Sequence, residues 1–202
     1  MKKIVIKNAA IETFLSRFRN AQSTIYDCNV CVENMSFFLA GEISNSLEIK
    51  SIDMETPLGN KNCSVINEEV VLVPIMRAGM SMLSGFQRIL PMSSVGFVWA
   101  HRNKDAKAEI DTYKFPTNMR EKTVILLDTM LATAGTINAV VDVVSTYSPK
   151  QIIVASILAT ELGIESVSDK VSILVAVDTT DTLDENMYIY PGVGDSGDRL
   201  YG

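Results

Sequence analysis

The sequence predicts an α/β fold built on a mostly parallel sheet flanked by helices. Two observations point there. Five short runs rich in β-branched residues recur between residues 70 and 178, and they are apolar throughout rather than alternating, as strands covered on both faces are. Helix-like intervals separate them, in the order of β–α crossovers. The chain has 202 residues, 47% of them hydrophobic, so it can bury a substantial core without disulfide or metal staples.

Taken in order, residues 8–45 read as helical. Ile11, Leu15 and Phe18 share one helix face, and Val32, Met35 and Leu39 repeat the spacing. Gly41 and Asn45 weaken the end of that stretch. Residues 46–69 are mixed and polar, with Pro57, Gly59 and Asn60 as turn signals. The strand runs are Val70–Val73, Val95–Trp99, Val124–Leu127, Ile152–Ile157 and Val171–Val177. Helices are expected over Ala78–Leu90, Thr136–Tyr147 and about 162–169. His101–Met119 is a polar stretch, and the tail after Asp178 is rich in Gly, Asp and Tyr. With no repeat and no linker rich in Pro, Gly or Ser, residues 1–202 read as a single domain. It divides into a helical N-terminal elaboration (1–69), a core (70–178) and a C-terminal hood (179–202).

The formal net charge is −6. That argues against general binding to nucleic acid or an anionic membrane, which needs a basic face. A small anionic substrate remains compatible, because a phosphate pocket needs only a few local cations or backbone N–H groups. No segment reaches the ~18 uninterrupted apolar residues of a membrane span, and the N-terminal apolar stretch is too short for a signal peptide. A cytoplasmic protein is expected. The three cysteines, Cys28, Cys31 and Cys63, fit a reducing compartment. A zinc site at Cys28-x-x-Cys31 would need two further ligands, so these thiols read as packing residues.

The strongest local signal runs from Val124 to Thr136: an apolar strand, Asp128, then a loop of small and hydroxyl residues opening a helix. Loop amides, a helix N-terminus and Thr hydroxyls make an anion site. An acid at the carboxyl end of a parallel strand lies where open α/β sheets bind ligands. The Gly-Lys-Ser/Thr ending of a Walker loop is missing. On spacing alone, an ordinary strand-to-helix turn with Thr caps reads equally well.

In wider context this segment resembles the phosphoribosyl-diphosphate (PRPP) loop of type I phosphoribosyltransferases, and Asp-x-Met-Leu-Ala-Thr-x-Gly looks like their uracil branch. Val73-Pro74-Ile75-Met76-Arg77-Ala78-Gly79-Met80 resembles the branch's diphosphate segment, and His101-Arg102-Asn103 falls at its Tyr-Arg-Asp. Tyr188 to Gly202, with Pro191-Gly192-Val193-Gly194-Asp195-Ser196-Gly197-Asp198-Arg199, resembles its C-terminal signature. The resemblance spans residues 53–202 in consistent order; the first 50 residues match poorly. Thr129 stands where the branch usually has Pro, Ala134 where it has Gly, and Ser196 where it has Ala.

The resemblance implies a type I phosphoribosyltransferase-like fold that transfers the 5-phosphoribosyl group from PRPP to uracil, giving UMP and diphosphate in pyrimidine salvage. It implies four catalytic residues: Asp128, Asp195, Arg77 and Arg102. Asp128 would hold the ribose hydroxyls. Thr129, Met130, Leu131, Ala132, Thr133, Ala134, Gly135 and Thr136 would cradle the 5′-phosphate. Arg77 and Arg102 would bind the diphosphate, with Arg102 on a loop (about 102–115) that closes over the site. Ile189, Gly194, Asp195 and Ser196 would bind the uracil edge, and Asp195 would also contact PRPP. Mg²⁺ would be held mainly by the diphosphate, with Asp195 as a candidate contact and no other direct protein ligand. A homodimer or higher homo-oligomer is expected, with GTP, which activates some members, as a candidate activator. Two alternatives stay open: transfer to another nucleobase, which Ser196 raises, and a catalytically silent PRPP- or nucleotide-binding regulator.

Overall fold

The computed structural model describes residues 1–102 and 108–202; the Arg102 side chain and residues 103–107 lie outside that description. The chain opens with strand β1 (Lys2–Val5), followed by helices α1 (Ala9–Arg19) and α2 (Ile25–Ser44). A hairpin follows, β2 (Ile49–Thr56) and β3 (Gly59–Ile66). The central part runs β4 (Val70–Met76), α3 (Met80–Ile89), β5 (Ser94–Val95), β6 (Phe97–Arg102), β7 (Ala108–Lys114), β8 (Thr123–Leu131), α4 (Gly135–Ser145), β9 (Gln151–Ala159), α5 (Glu161–Glu165) and β10 (Val171–Asp178). The tail holds β11 (Thr182–Leu183), β12 (Ile189–Tyr190) and α6 (Ser196–Tyr201).

The main sheet has the order β1-β10-β9-β8-β4-β6-β7, with β5 also pairing β4. Its pairings are parallel except β6 with β7. Side chains alternate along the central strands. Leu72, Ile125, Leu127, Ile153 and Val175 pack on one face with Phe18 of α1, Met35 and Leu39 of α2, and Phe86 of α3. Val71, Val73, Val124, Leu126 and Val154 pack on the other face with Ile137, Val140 and Val144 of α4. Buried on both faces, these strands are apolar at nearly every position, with Thr123, Thr129 and Ser156 as buried exceptions.

Several elements depart from the sequence reading. The first 69 residues supply strands as well as helices: β1 extends the main sheet beyond β10, and residues 49–66 form the β2–β3 hairpin. The expected strand at Val95–Trp99 divides around Gly96 into β5 and a β6 that runs to Arg102. The closing loop expected at about 102–115 is corrected in its second half, where residues 108–114 form β7 against β6; residues 103–107, with Asn103, Lys104 and Lys107, lie outside the described residues. The segment after Asp128 is strand before it is loop. β8 continues to Leu131 because β9 runs alongside as far as Ala159, pairing Met130 with Leu158 and Leu131 with Ala159, and the side chains of Thr129 and Leu131 are buried.

The order also fixes where a ligand can sit. Strands β4 and β8 are neighbours, yet the chain leaves β4 through α3 toward β6 and leaves β8 through α4 toward β9. Connections diverging from adjacent parallel strands open a crevice beyond their carboxyl ends.

Candidate active site

A cavity of about 460 Å³ occupies that crevice. Its floor carries Asp128, Thr129 and Met130 of β8, with Ala78 from the turn after β4. The hood supplies Asn186 to Ile189 and Gly194 to Gly197. A recess formed by Asp128 and Met130 to Ile137 adjoins it, sharing Asp128, Met130 and Ala132.

Two helices, α3 and α4, begin differently from the others. Asn8, Thr24, Thr160 and Asp195 cap α1, α2, α5 and α6 through their side chains. Helices α3 and α4 begin at Gly79 and Ala134 with no side-chain cap. The first amides of α4 thus lack the usual side-chain partner and open toward an anion site, whereas those of α3 bond the carbonyls of Arg77, Ala78 and Gly79. Ala134 holds a left-handed conformation, φ 61°, where an L-residue is strained by roughly 1–2 kcal/mol. Gly79 is required by close approach: a Cβ there would stand 2.2 Å from the Leu127 carbonyl oxygen.

The structure brings most of the predicted residues together. Asp128, Thr129, Met130, Ala132, Ile189, Gly194, Asp195 and Ser196 line the cavity, and Leu131, Thr133, Ala134, Gly135 and Thr136 line the recess. The Met130 amide donates to Asp128 Oδ1 at 3.3 Å. Asp195 caps α6, its Oδ1 accepting from the Asp198 amide at 2.9 Å. The hydroxyls of Thr129 and Ser196 meet at 3.0 Å. Arg77, after a cis peptide bond to Met76, stands at the rim rather than in the lining. Its Nη2 lies 3.3 Å from where a Cβ on Gly197 would be, and Asp195 Oδ1 lies 3.2 Å from the same point. The Arg102 side chain lies outside the described residues. His101 does not line the cavity; its Nδ1 is 2.7 Å from Asp111 Oδ2 across the β6–β7 pair.

Sequence reasoning missed Asn186 and Met187 on the cavity wall. Their loop is organised by Asp184, whose Oδ1 accepts from the amides of Asn186 and Tyr188 at 2.9 and 2.8 Å. The Asp-x-Asn spacing was the available signal.

Two arginines fix the hood. Arg19 reaches Asp178 and Asp181 at 2.6 Å each and the Gly192 carbonyl at 2.9 Å. Burial would raise the Asp178 pKa, but its bonds from Thr180 and its pairing with Arg19 hold the carboxyl below the usual range. Arg199 donates to the carbonyls of Phe18, Val193 and Asn20. Burial pushes the thiols of Cys28 and Cys31 up, which fits cysteines that pack.

No group of three or more His, Cys, Asp or Glu among the described residues could hold a metal by itself. The donor set, Asp128 and Asp195 facing one cavity, fits a Mg²⁺ that arrives on a diphosphate and takes one or two carboxylates.

The fold and site together define a protein of the phosphoribosyltransferase class. A hypoxanthine-guanine phosphoribosyltransferase from Bacillus anthracis shares the fold, with a TM-score of 0.55 at 14% identity over 76% of this chain and 81% of that one. A protein from Aquifex aeolicus is much nearer, with a TM-score of 0.92 and 28% identity over 98% and 97% of the two chains. A family model for uracil phosphoribosyltransferase matches residues 5–202. Uracil phosphoribosyltransferases from Ureaplasma urealyticum and Desulfitobacterium hafniense are 34% and 32% identical, over 98% of this chain and 98% and 97% of theirs. The chain belongs to the uracil phosphoribosyltransferase family.

Proposed function

We propose that the protein transfers the 5-phosphoribosyl group of PRPP to uracil, releasing diphosphate and UMP. The observation that carries this reading is the single cavity joining the β8 segment at Asp128 to the base-facing loop at Gly194–Gly197. An activated sugar and a flat base can meet there. Displacement at the anomeric carbon leaves positive charge on the ribose and negative charge on the diphosphate. Asp128 holds the ribose hydroxyls and, with Asp195, stabilises the cationic side. The uncapped N-terminus of α4 and residues Thr133–Thr136 take the 5′-phosphate. Arg77, with Arg102, takes the diphosphate. Mg²⁺ bound to PRPP neutralises charge on the leaving group. The base lies against Ile189 and the Gly194–Ser196 backbone, whose fixed donors and acceptors reject bases that leave them unpaired.

The protein is further read as a cytoplasmic homodimer or higher homo-oligomer. No helix among the described residues is long and apolar enough to cross a membrane. The β2–β3 hairpin leaves Ile49, Met54, Leu58 and Ile66 exposed. An isolated two-stranded hairpin is marginal in water, and a second copy would cover it. Light scattering would show a monomer if this is wrong.

Diphosphate release with PRPP, Mg²⁺ and uracil tests the reaction, run beside other bases, a no-base control and an arm with GTP. Uracil-dependent release with UMP formed is expected. Release with a different base alone would move the specificity, and PRPP binding without release under any arm would leave a regulator.

A further inference from the structure

Two hydroxyl side chains in the cavity wall, Thr129 and Ser196, face each other. They are 67 positions apart in sequence, yet Thr129 Oγ1 and Ser196 Oγ lie 3.0 Å apart. Both side chains are buried, at 0% and 5% exposure, and both touch the cavity. Thr129 follows Asp128 on β8. Ser196 follows Asp195 and is the first residue of α6. The bond therefore ties together the two backbone segments that carry the cavity's carboxylates.

A buried hydroxyl is costly when it loses its partner, whereas removing both hydroxyls of a pair and leaving apolar groups of similar shape is nearly neutral. Thr129 without Ser196, or Ser196 without Thr129, would leave a hydroxyl in the cavity wall to seek a bond with the base loop or the base itself. We infer that Thr129 and Ser196 act as one interdependent positioning pair that holds the base-facing loop against the end of β8 and sets Asp195 relative to Asp128. This deepens the proposed transfer to uracil and rests on it.

The test is a double-mutant cycle of Thr129→Val, Ser196→Ala and the double variant, with Thr129→Ser as the variant that keeps the hydroxyl. KM for uracil, KM for PRPP, kcat and thermal unfolding are measured on each. Each single variant should lose at least fivefold in kcat/KM for uracil while KM for PRPP moves less than twofold. The double variant should lose no more in kcat/KM for uracil than the worse single variant, because the bond is already gone, and Thr129→Ser should stay closer to the unaltered chain than Thr129→Val does. Single effects that multiply in the double variant would overturn the pairing, as would single variants indistinguishable from the unaltered chain. Equal changes in both KM values would also overturn it, because a merely structural bond does not single out the base. Failure of the unaltered chain to turn over uracil would overturn the functional reading instead. The unfolding cycle would then decide whether the two hydroxyls depend on each other, with additive melting shifts overturning the pair.

Discussion

Arg77 Nη2 lies 2.6 Å from Asp198 Oδ1, and Nη1 of the same guanidinium donates to the Gly202 carbonyl at 3.2 Å. The segment after β4 is thus attached to the last helix and the last residue of the chain. Both side chains of the ion pair are largely in water, at 44% and 65% exposure, so the pair contributes at most about 1 kcal/mol. A weak partner of this kind orients an arginine without committing it, and a diphosphate carrying several charges can compete for it. Between Arg77 and Asp195 sits Gly197, where a methyl group would be a tight fit against both side chains.

Gly197→Ala separates stability from activity. The alanine Cβ would come within 3.2 Å of Asp195 Oδ1 and 3.3 Å of Arg77 Nη2, so both side chains must give by a few tenths of an ångström, which moves the carboxylate and the guanidinium apart. Alanine is favoured over glycine inside a helix by about 0.5–1 kcal/mol. Melting temperature should hold or rise slightly, while kcat/KM for PRPP falls at least tenfold. Thermal melts beside steady-state kinetics check this, and undiminished kcat/KM would show that the Asp195–Arg77 spacing does not matter.

Glycines 79 and 41 should respond in opposite directions to alanine. At Gly79 the new Cβ would meet three backbone atoms, the Leu127 and Ile75 carbonyl oxygens at 2.2 and 2.6 Å and the Ile75 nitrogen at 2.8 Å. Overpacking of this kind costs about 1–3 kcal/mol, and here the upper end is expected because no flexible side chain can give way. At about 2–4 °C per kcal/mol for a chain of this size, Gly79→Ala should melt at least about 5 °C lower. Gly41, inside α2 with nothing within 4 Å of its Cβ position, should gain about 0.5–1 kcal/mol as alanine. Calorimetry on the two variants settles both signs.

What was legible in the sequence follows the same physics. The central strands announced themselves because burial on both faces disfavours polar residues, as in Val70–Val73 and Val124–Leu127. Strand β7, Ala108–Lys114, stayed hidden because an edge strand tolerates Glu109, Asp111 and Lys114. Strand β1 was hidden by its length of four residues. Asp128 carried a local signal, an acid at the end of an apolar strand, whereas the loop at Gly194–Ser196 was marked only by its resemblance to the family's C-terminal signature. The Asn186–Met187 wall was not, since its shape depends on a side chain two residues upstream and on a left-handed Met187, φ 63°. The mutual pairing of Thr129 and Ser196 needs the fold itself.

Acid should loosen the hood. Burial raises the Asp178 pKa, yet the Thr180 hydroxyl and amide and the Arg19 guanidinium bring it below its ordinary value. Glu68 is likewise opposed by burial and drawn down by Thr123, the Glu48 amide, Lys150 and Gln151. A carboxyl with a depressed folded pKa contributes stability that is full above the unfolded value, about 3.9 for Asp and 4.3 for Glu, and is lost as pH falls through the folded value. Stability should therefore fall below about pH 4.5, and Asp178→Asn should flatten that dependence. Arg19→Leu should cost about 3 kcal/mol at pH 7, because it strands two largely buried carboxylates. The deficit should shrink toward pH 4 as Asp178 takes up a proton. Urea unfolding of the three proteins between pH 7 and 3 gives the comparison, and parallel curves would remove the Arg19 network from the acid response.

Asp195 caps a helix and is also proposed to act on the reacting centre, and its substitutions can separate the two. Its Oδ1 caps α6 through the Asp198 amide, and its carboxylate faces the cavity where the proposed reaction develops charge. Asparagine caps a helix about as well as aspartate does but brings no negative charge. Asp195→Asn should thus melt within about 1 kcal/mol of the unaltered chain while kcat falls by about 10² or more, the scale expected of an electrostatic contact at the reacting centre. Asp195→Ala loses cap and charge together. It should fall as far in kcat and also lose about 1 kcal/mol, or about 2–4 °C. If Asp195→Asn turned over normally and only the alanine variant lost stability, Asp195 would be a helix cap at the edge of the site, and the positive charge on the ribose would rest on Asp128 alone.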